Sequence, residues 1–134
     1  MLLLIPCYEI IFTQNINGII MSFFKSLFGS PTTESENITL LPAPEFKASI
    51  KKSNAQVVDV RTAIEFKSGH INKAKNIDFF QKNSFKDKLD KLDKNKPLHL
   101  YCRSGQRSKK AAGIAAELGF KEIYDLQGGY LAYS

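Results

Sequence analysis

The residues in this chain that could do covalent chemistry are concentrated in one stretch, Leu98-His99-Leu100-Tyr101-Cys102-Arg103-Ser104-Gly105-Gln106-Arg107-Ser108. A short apolar run after Pro97 reads as a buried strand, and Ala111-Ala112-Gly113-Ile114-Ala115-Ala116-Glu117-Leu118 reads as a helix. Cys102 is therefore expected in a strand-to-helix loop. Such a loop aims backbone N–H groups and the positive end of the helix dipole at whatever lies within it. Arg103 and Arg107 add fixed positive charge. The Cys102 thiol is thus expected to ionise more readily than an ordinary thiol and to act as a nucleophile, with the same N–H groups stabilising an anion on the sulfur. A lone intracellular thiol is commonly a buried structural one. The polar and cationic neighbours Arg103, Ser104, Gly105 and Arg107 are wrong for that role.

The elements that must position this loop follow from hydrophobic pattern and turn residues. Ile38 to Leu41 reads as a short strand, and Ala43 to Lys52 as a helix entered through Pro42 and Pro44. Gln56 to Val60 is a second strand, too continuously apolar for a half-exposed hairpin and suited to the middle of a parallel sheet. Thr62 to Phe66 reads as a short helix, Gly69-His70-Ile71 as a turn, and Ala74 to Ile77 as a brief strand. Ser84 to Leu92 reads as an amphipathic helix with Phe85, Leu89 and Leu92 on one face. Pro97 to Tyr101 is the third main strand, the helix after Cys102 runs to about Leu118, and Glu122 to Leu126 is the last strand. Strands alternating with helices predict an α/β fold with a central parallel sheet and helices on both faces. Ligands bind beyond the C-terminal strand ends in such folds. Both the Asp59 to Arg61 turn and the Cys102 loop fall there.

At 134 residues the chain has room for one domain. The net charge of +6 suggests attraction to anions. Much of it comes from Lys82, Lys86, Lys88, Lys91, Lys94 and Lys96 interleaved with Asp87, Asp90 and Asp93, a solvated helical face rather than a nucleic-acid groove. No nucleic-acid partner is expected. The two cysteines, Cys7 and Cys102, have no spacing that suggests a metal site, and no metal is expected. A structural disulfide is not expected either, and a free catalytic thiol suits a reducing, cytoplasmic setting. Met1 to Met21 is apolar at first and then broken by Glu9, Gln14, Asn15 and Asn17, too polar for a membrane span and without a charged leader. Residues 1–37 read as an N-terminal extension and polar linker, Ser30 to Asn37, with Met21 as a second plausible start. Phe23, Phe24, Leu27 and Phe28 lie at helical spacing, for which docking on the domain or local disorder is preferred over membrane contact. Residues 38–134 are the expected domain.

Cys-Arg-Ser-Gly-Gln-Arg-Ser at Cys102 to Ser108, followed by an Ala-rich helix, closely resembles the active-site loop of the rhodanese family of sulfurtransferases. Val58-Asp59-Val60-Arg61, then Glu65-Phe66 and Gly69-His70-Ile71, resemble that family's upstream signature in order. Leu118-Gly119-Phe120 and Leu126-Gln127-Gly128-Gly129-Tyr130 resemble its C-terminal end. The resemblance covers roughly Ile38 to Tyr133. It implies a single rhodanese-like domain in which Cys102 takes a sulfane sulfur from thiosulfate or a persulfide and passes it from a Cys102 persulfide to a thiol or cyanide acceptor, with no cofactor. The backbone from Arg103 through Ser108, including Ser104, Gly105 and Gln106, would cradle the terminal sulfur, and Gly105 would let the loop curl without a Cβ in the way. Relatives that handle phosphate or arsenate separate cysteine and arginine by five residues; here four separate Cys102 from Arg107, which favours sulfur.

The resemblance leaves some roles open. Arg103 and Arg107 hold anionic donor groups or pair with acids elsewhere. Asp59 and Arg61 are expected as an ion-paired scaffold at the rim rather than as reactants. Glu65 stands where some two-domain thiosulfate sulfurtransferases carry a substrate-binding arginine, which weakens the case for thiosulfate. Asn72-Lys73-Ala74 replaces a common Pro-Gly-Ala and is expected to alter only a turn. His70 and His99 are expected to be structural, and Tyr133 takes a place where tryptophan is frequent. The rival reading is a persulfide relay to a protein acceptor, or a redox-sensing, partner-binding module with little turnover on small molecules.

Overall fold

A computed structural model describes residues 35–52 and 54–134. The extension, the second start at Met21, the Phe23 to Phe28 segment, Cys7 and most of the linker lie outside the described residues. The elements are β1 (Ile38–Leu41), α1 (Ala43–Ile50), β2 (Gln56–Asp59), α2 (Ala63–Lys67), β3 (Lys75–Asn76), α3 (Lys82–Asp90), β4 (Leu98–Tyr101), α4 (Gln106–Leu118), β5 (Ile123–Leu126) and α5 (Gly129–Tyr133). All strands pair in parallel in the order β1-β5-β4-β2-β3. The α/β reading thus describes the molecule.

The sheet is covered on both faces. On one, Val58, Leu98, Leu100 and Ile123 meet Phe85 and Leu89 of α3 and Ala111, Ala112 and Ala115 of α4. The three alanines let α4 lie close to the strands, and the large apolar groups contribute roughly 1.5–3 kcal/mol each on burial. On the other face Val57, Tyr101 and Leu126 meet Phe46 of α1, with Tyr130 and Tyr133 of α5 packed against them. β4, buried at all four positions, runs through the middle. No helix among the described residues is long and apolar enough to cross a membrane.

Three boundaries differ from the sequence reading. The third helix starts at Lys82 and ends at Asp90, so Leu92 packs on the core from the turn beyond it, where its N–H donates to Leu89 O at 3.1 Å. The first helix stops at Ile50 because Lys51 closes onto Ser49 O. The α5 turn after Gly128-Gly129 has no counterpart in the sequence reading: five residues are too few for a periodic signal.

Lys73 has a left-handed backbone, φ +68, at an exposed turn. That conformation costs a side-chain-bearing residue about 1–2 kcal/mol. Lys73→Gly is expected to stabilise the domain by about 0.5–1 kcal/mol after the entropic cost of glycine in the unfolded chain. Thermal unfolding checks it, and a lowered Tm would show that the turn holds no strain.

Candidate active site

β4 ends at Tyr101, and the chain turns through Cys102 to Gly105 before α4 begins. Gly105 takes φ +106 at the helix N-cap, a value that side-chain-bearing residues rarely adopt. Room is not the reason for glycine: an added Cβ would meet only Gly128 N, at 3.8 Å. The turn brings Gly105 N–H to donate to Cys102 Sγ at 3.1 Å. The Cys102 thiol points to Ser108 Oγ at 3.5 Å, and the Ser108 hydroxyl donates to Gly105 O at 3.2 Å. Cys102 is 1% exposed and Ser108 fully buried.

Burial alone would push the Cys102 thiol up. Hydrogen bonds from the Ser108 side chain and from the backbone of Ser108, Gly105 and Ser104 outweigh it, and the thiol ionises below its ordinary range. The cause differs from the one expected from sequence. Arg103 is exposed and forms no ion pair among the described residues. Arg107 is engaged elsewhere: Nη1 and Nη2 donate to Glu65 Oε2 and Oε1 at 2.8 and 2.9 Å, and its guanidinium lies over the Phe80 ring at 5.3 Å. The charge of Cys102 acts on Arg107 only after that of Glu65. Of the two roles open to Arg107, the structure adopts pairing with an acid, because an acceptor pair that fits its planar fork lies within reach.

Glu65 also accepts from the Thr62 N–H at 2.9 Å and hydroxyl at 3.0 Å, completing a capping box at the start of α2. The Arg107 hydrogen bonds hold its carboxyl down at about 2, against a smaller opposing effect of burial. A folded-state value below the unfolded one means that this contribution is complete above pH 4.5 and fades as pH falls toward 2. Glu65→Gln is expected to cost about 1 kcal/mol at pH 7 and progressively less in acid. Denaturant titrations of both proteins from pH 7 down to pH 2.5 check the sign; a gap that widens in acid would overturn it.

The far side of the loop is gripped by α5. Tyr130 N–H donates to Cys102 O at 2.8 Å and Leu131 N–H to Arg103 O at 3.2 Å. Gly129, φ +64, passes so close that an added Cβ would overlap the Arg103 carbonyl and lie 2.6 Å from Ser104 N. Beside the loop, Gly105, Gln106, Lys109 and Lys110 line an open depression of about 560 Å³.

Asp59 and Arg61 sit at the C-terminal end of β2, next to the loop through Val60 N–H donating to Tyr101 O at 3.0 Å. Arg61 Nε donates to both Asp59 oxygens at 3.0 Å, Nη2 donates to Asp59 Oδ2 at 2.6 Å and to Gly69 O at 2.7 Å, and the guanidinium lies 4.4 Å from the Tyr130 ring centre. The pair is buried, so these contacts must offset the loss of water around both charges. It braces the Gly69 turn and α5 rather than approaching Sγ. His70 Nδ1 bonds to Phe66 O at 2.8 Å. His99 is buried against Ser49 Oγ at 2.7 Å, and burial lowers its pKa to about 4, leaving a neutral ring. Among the described residues no group of three or more His, Cys, Asp or Glu side chains could hold a metal ion.

Two groups at the site escaped the sequence reading. Gly129 was noticed there only through resemblance. Asp125, an acid in the apolar run Ile123-Tyr124-Asp125-Leu126, was passed over although a carboxyl in a buried strand is itself a signal.

Comparison with known proteins agrees with this geometry. Residues 42–134 match the family described as Rhodanese-like domain. A thiosulfate sulfurtransferase, GlpE, of Pseudomonas aeruginosa is 35% identical over 88 residues, covering 66% of this chain and 77% of that protein. A tRNA uridine(34) hydroxylase of Cytophaga hutchinsonii is 35% identical over 95 residues, 69% of this chain, but the match spans only 30% of that protein. The crystal structure of a rhodanese-like domain protein from Staphylococcus aureus superposes with a TM-score of 0.63 at 28% identity, covering 72% of this chain and 91% of that one.

Proposed function

Since the chain belongs to the rhodanese-like domain family, we propose that residues 38–134 form a sulfurtransferase domain that moves a sulfane sulfur through a persulfide on Cys102. One observation carries the reading: Cys102 Sγ, its thiol ionising below the ordinary range, receives the Gly105 N–H at 3.1 Å in the loop between β4 and α4. In the forward step the Cys102 thiolate attacks the outer sulfur of the donor. A new S–S bond forms, the donor's own S–S bond breaks, and its remainder leaves with the electron pair; from thiosulfate that remainder is sulfite. A thiol or cyanide then attacks the terminal sulfur and returns the thiolate. The backbone of Ser104, Gly105 and Ser108 supports the anionic sulfur, with Arg103 and Gln106 at the exposed mouth and Arg107 holding the loop through Glu65. Asp59 and Arg61 brace the rim.

Intact-protein mass spectrometry after incubation with thiosulfate, with peptide mapping, tests this. A gain of about one sulfur on the Cys102 peptide, removed by cyanide, is the expected result. No adduct from thiosulfate or from small persulfides would overturn it. Relay to a protein acceptor is a second reading, favoured by the exposed side chains of Phe80, stacked under Arg107, and Leu131, whose N–H holds the Arg103 carbonyl. An adduct that cyanide removes only slowly, without multiple turnover, would select it.

A further inference from the structure

Asp125 is a buried carboxyl that the chemistry above does not use. It is 3% exposed, and its Oδ1 has no hydrogen-bond partner among the described residues. Leaving a buried charged oxygen unpaired is costly, and such groups call for an explanation. In register Asp125 stands between Leu40 of β1 and Leu100 of β4, apolar neighbours on the same face of the sheet. That face also carries Ile123 and is covered by α4. Cys102 follows Leu100 by two residues, so the alternation of side chains puts Cys102 and Asp125 on the same side. Between them lies Ser108 of α4, whose hydroxyl acts on the Asp125 carboxyl and whose Oγ is 3.5 Å from Cys102 Sγ.

We propose that Asp125 is the proton partner of Cys102, with the buried Ser108 hydroxyl passing one proton between the thiol and the carboxylate. The inference rests on Cys102 being the nucleophile and adds where its proton goes. The Cys102 S–H bond breaks as its proton moves to Ser108 Oγ. The original Ser108 proton moves to Asp125 Oδ1, completing a carboxylic acid. The site holds one negative charge before and after, so no co-reactant is needed. The Ser108 hydroxyl proton now donates to Gly105 O at 3.2 Å, and rotation about Cβ–Oγ turns it to the carboxyl.

The electrostatics of the pocket suit this exchange. Burial raises the Asp125 carboxyl to about 6, against smaller lowering effects of Ser108, the Lys109 ammonium and the Leu126 N–H, while Cys102 is shifted down toward it. Lys109 on α4 is the cation acting on Asp125; Leu40 and Leu100 on the flanking strands bring no charge. Two groups that share a proton titrate as a pair rather than singly.

The test is the pH dependence of Cys102 alkylation by iodoacetamide, read on the Cys102 peptide by mass spectrometry with no sulfur donor present. Wild-type protein should show two steps, the lower one near pH 6 where Asp125 titrates. Asp125→Asn should show a single step, displaced by about one pH unit or more below the upper wild-type step. Ser108→Ala should also show one step, displaced upward, because the thiolate loses a donor. A merely structural role would not move the two variants in opposite directions. Superimposable wild-type and Asp125→Asn profiles would overturn the proposal. Should Asp125→Asn fail to fold by circular dichroism, infrared titration of the buried carboxyl in wild-type protein decides: its midpoint should shift when Cys102 is alkylated, and an unmoved midpoint refutes the coupling. Failure of persulfide formation alone would count against the proposed function and leave this result standing.

Discussion

Cys102→Ser is expected to abolish persulfide formation and to lower sulfur transfer by more than about a thousandfold, the usual scale for loss of a covalent nucleophile. Serine cannot hold a sulfane sulfur as a persulfide. Its hydroxyl also ionises far above neutrality, and the loop groups that shift a thiol cannot close that gap. The fold should survive. An oxygen at this position can still accept the Gly105 N–H and meet the Ser108 hydroxyl, so no buried polar group is stranded, and the stability change is expected within about 1 kcal/mol. Transfer assays beside thermal unfolding check both halves. Transfer at the wild-type rate would remove Cys102 from the chemistry, and a large drop in Tm would mean that the sulfur serves the core.

Gly129→Ala is expected to damage both stability and the loop, although residue 129 never touches the sulfur. Two costs combine. The backbone at φ +64 disfavours any side chain by about 1–2 kcal/mol. The new Cβ would also overlap the Arg103 carbonyl and sit 2.6 Å from Ser104 N, backbone that cannot rotate away as a flexible side chain would. Either α5 or the loop must shift, and an overpacked site of this kind costs typically a further 1–3 kcal/mol. A total of about 2–4 kcal/mol is expected, with Cys102 alkylation moved to higher pH because the Ser104 and Gly105 N–H groups lose their aim. Gly113 supplies the contrast. It lies inside α4 with nothing within 4 Å of an added Cβ, so Gly113→Ala should stabilise by about 0.5–1 kcal/mol. Denaturant unfolding of the two variants should give opposite signs. Equal effects would show that the closeness of Gly129 to the loop is not what matters.

The two predictions trace one path from sequence to chemistry. Glycines at 105 and 129 let two segments of backbone meet closely beyond the end of β4. That meeting holds the donors on Cys102 in place, and the donors set the ionisation of the thiol. The ion pairs of the rim act one step further out, Asp59 with Arg61 under the Gly69 turn and Glu65 with Arg107 across to α2. None of them touches Sγ among the described contacts.

By itself the sequence determined the alternation of strands and helices, the placing of Cys102 in a strand-to-helix loop, and the family. These are local properties. Periodicity over four to thirteen residues marks an element, and a run such as Cys102 to Ser108 carries its own turn, its own donors and its own nucleophile. Tertiary structure decided which charges meet. Arg107 could have faced an anionic donor or an acid, and its pairing with Glu65 depends on α2 and α4 arriving at the same sheet edge from 42 residues apart. The lowered thiol ionisation was foreseen, but not its source, because the aim of the Ser108 hydroxyl and the exposure of Arg103 follow from packing rather than composition. Asp125 shows the same limit most clearly. In sequence it is one polar residue in a strand; only the register of β5 beside β4, under α4, brings its unpartnered oxygen to the serine that touches the thiol. Periodicity shows which face of an element is buried but not which buried groups become neighbours, and that neighbourhood governs the proton on Cys102.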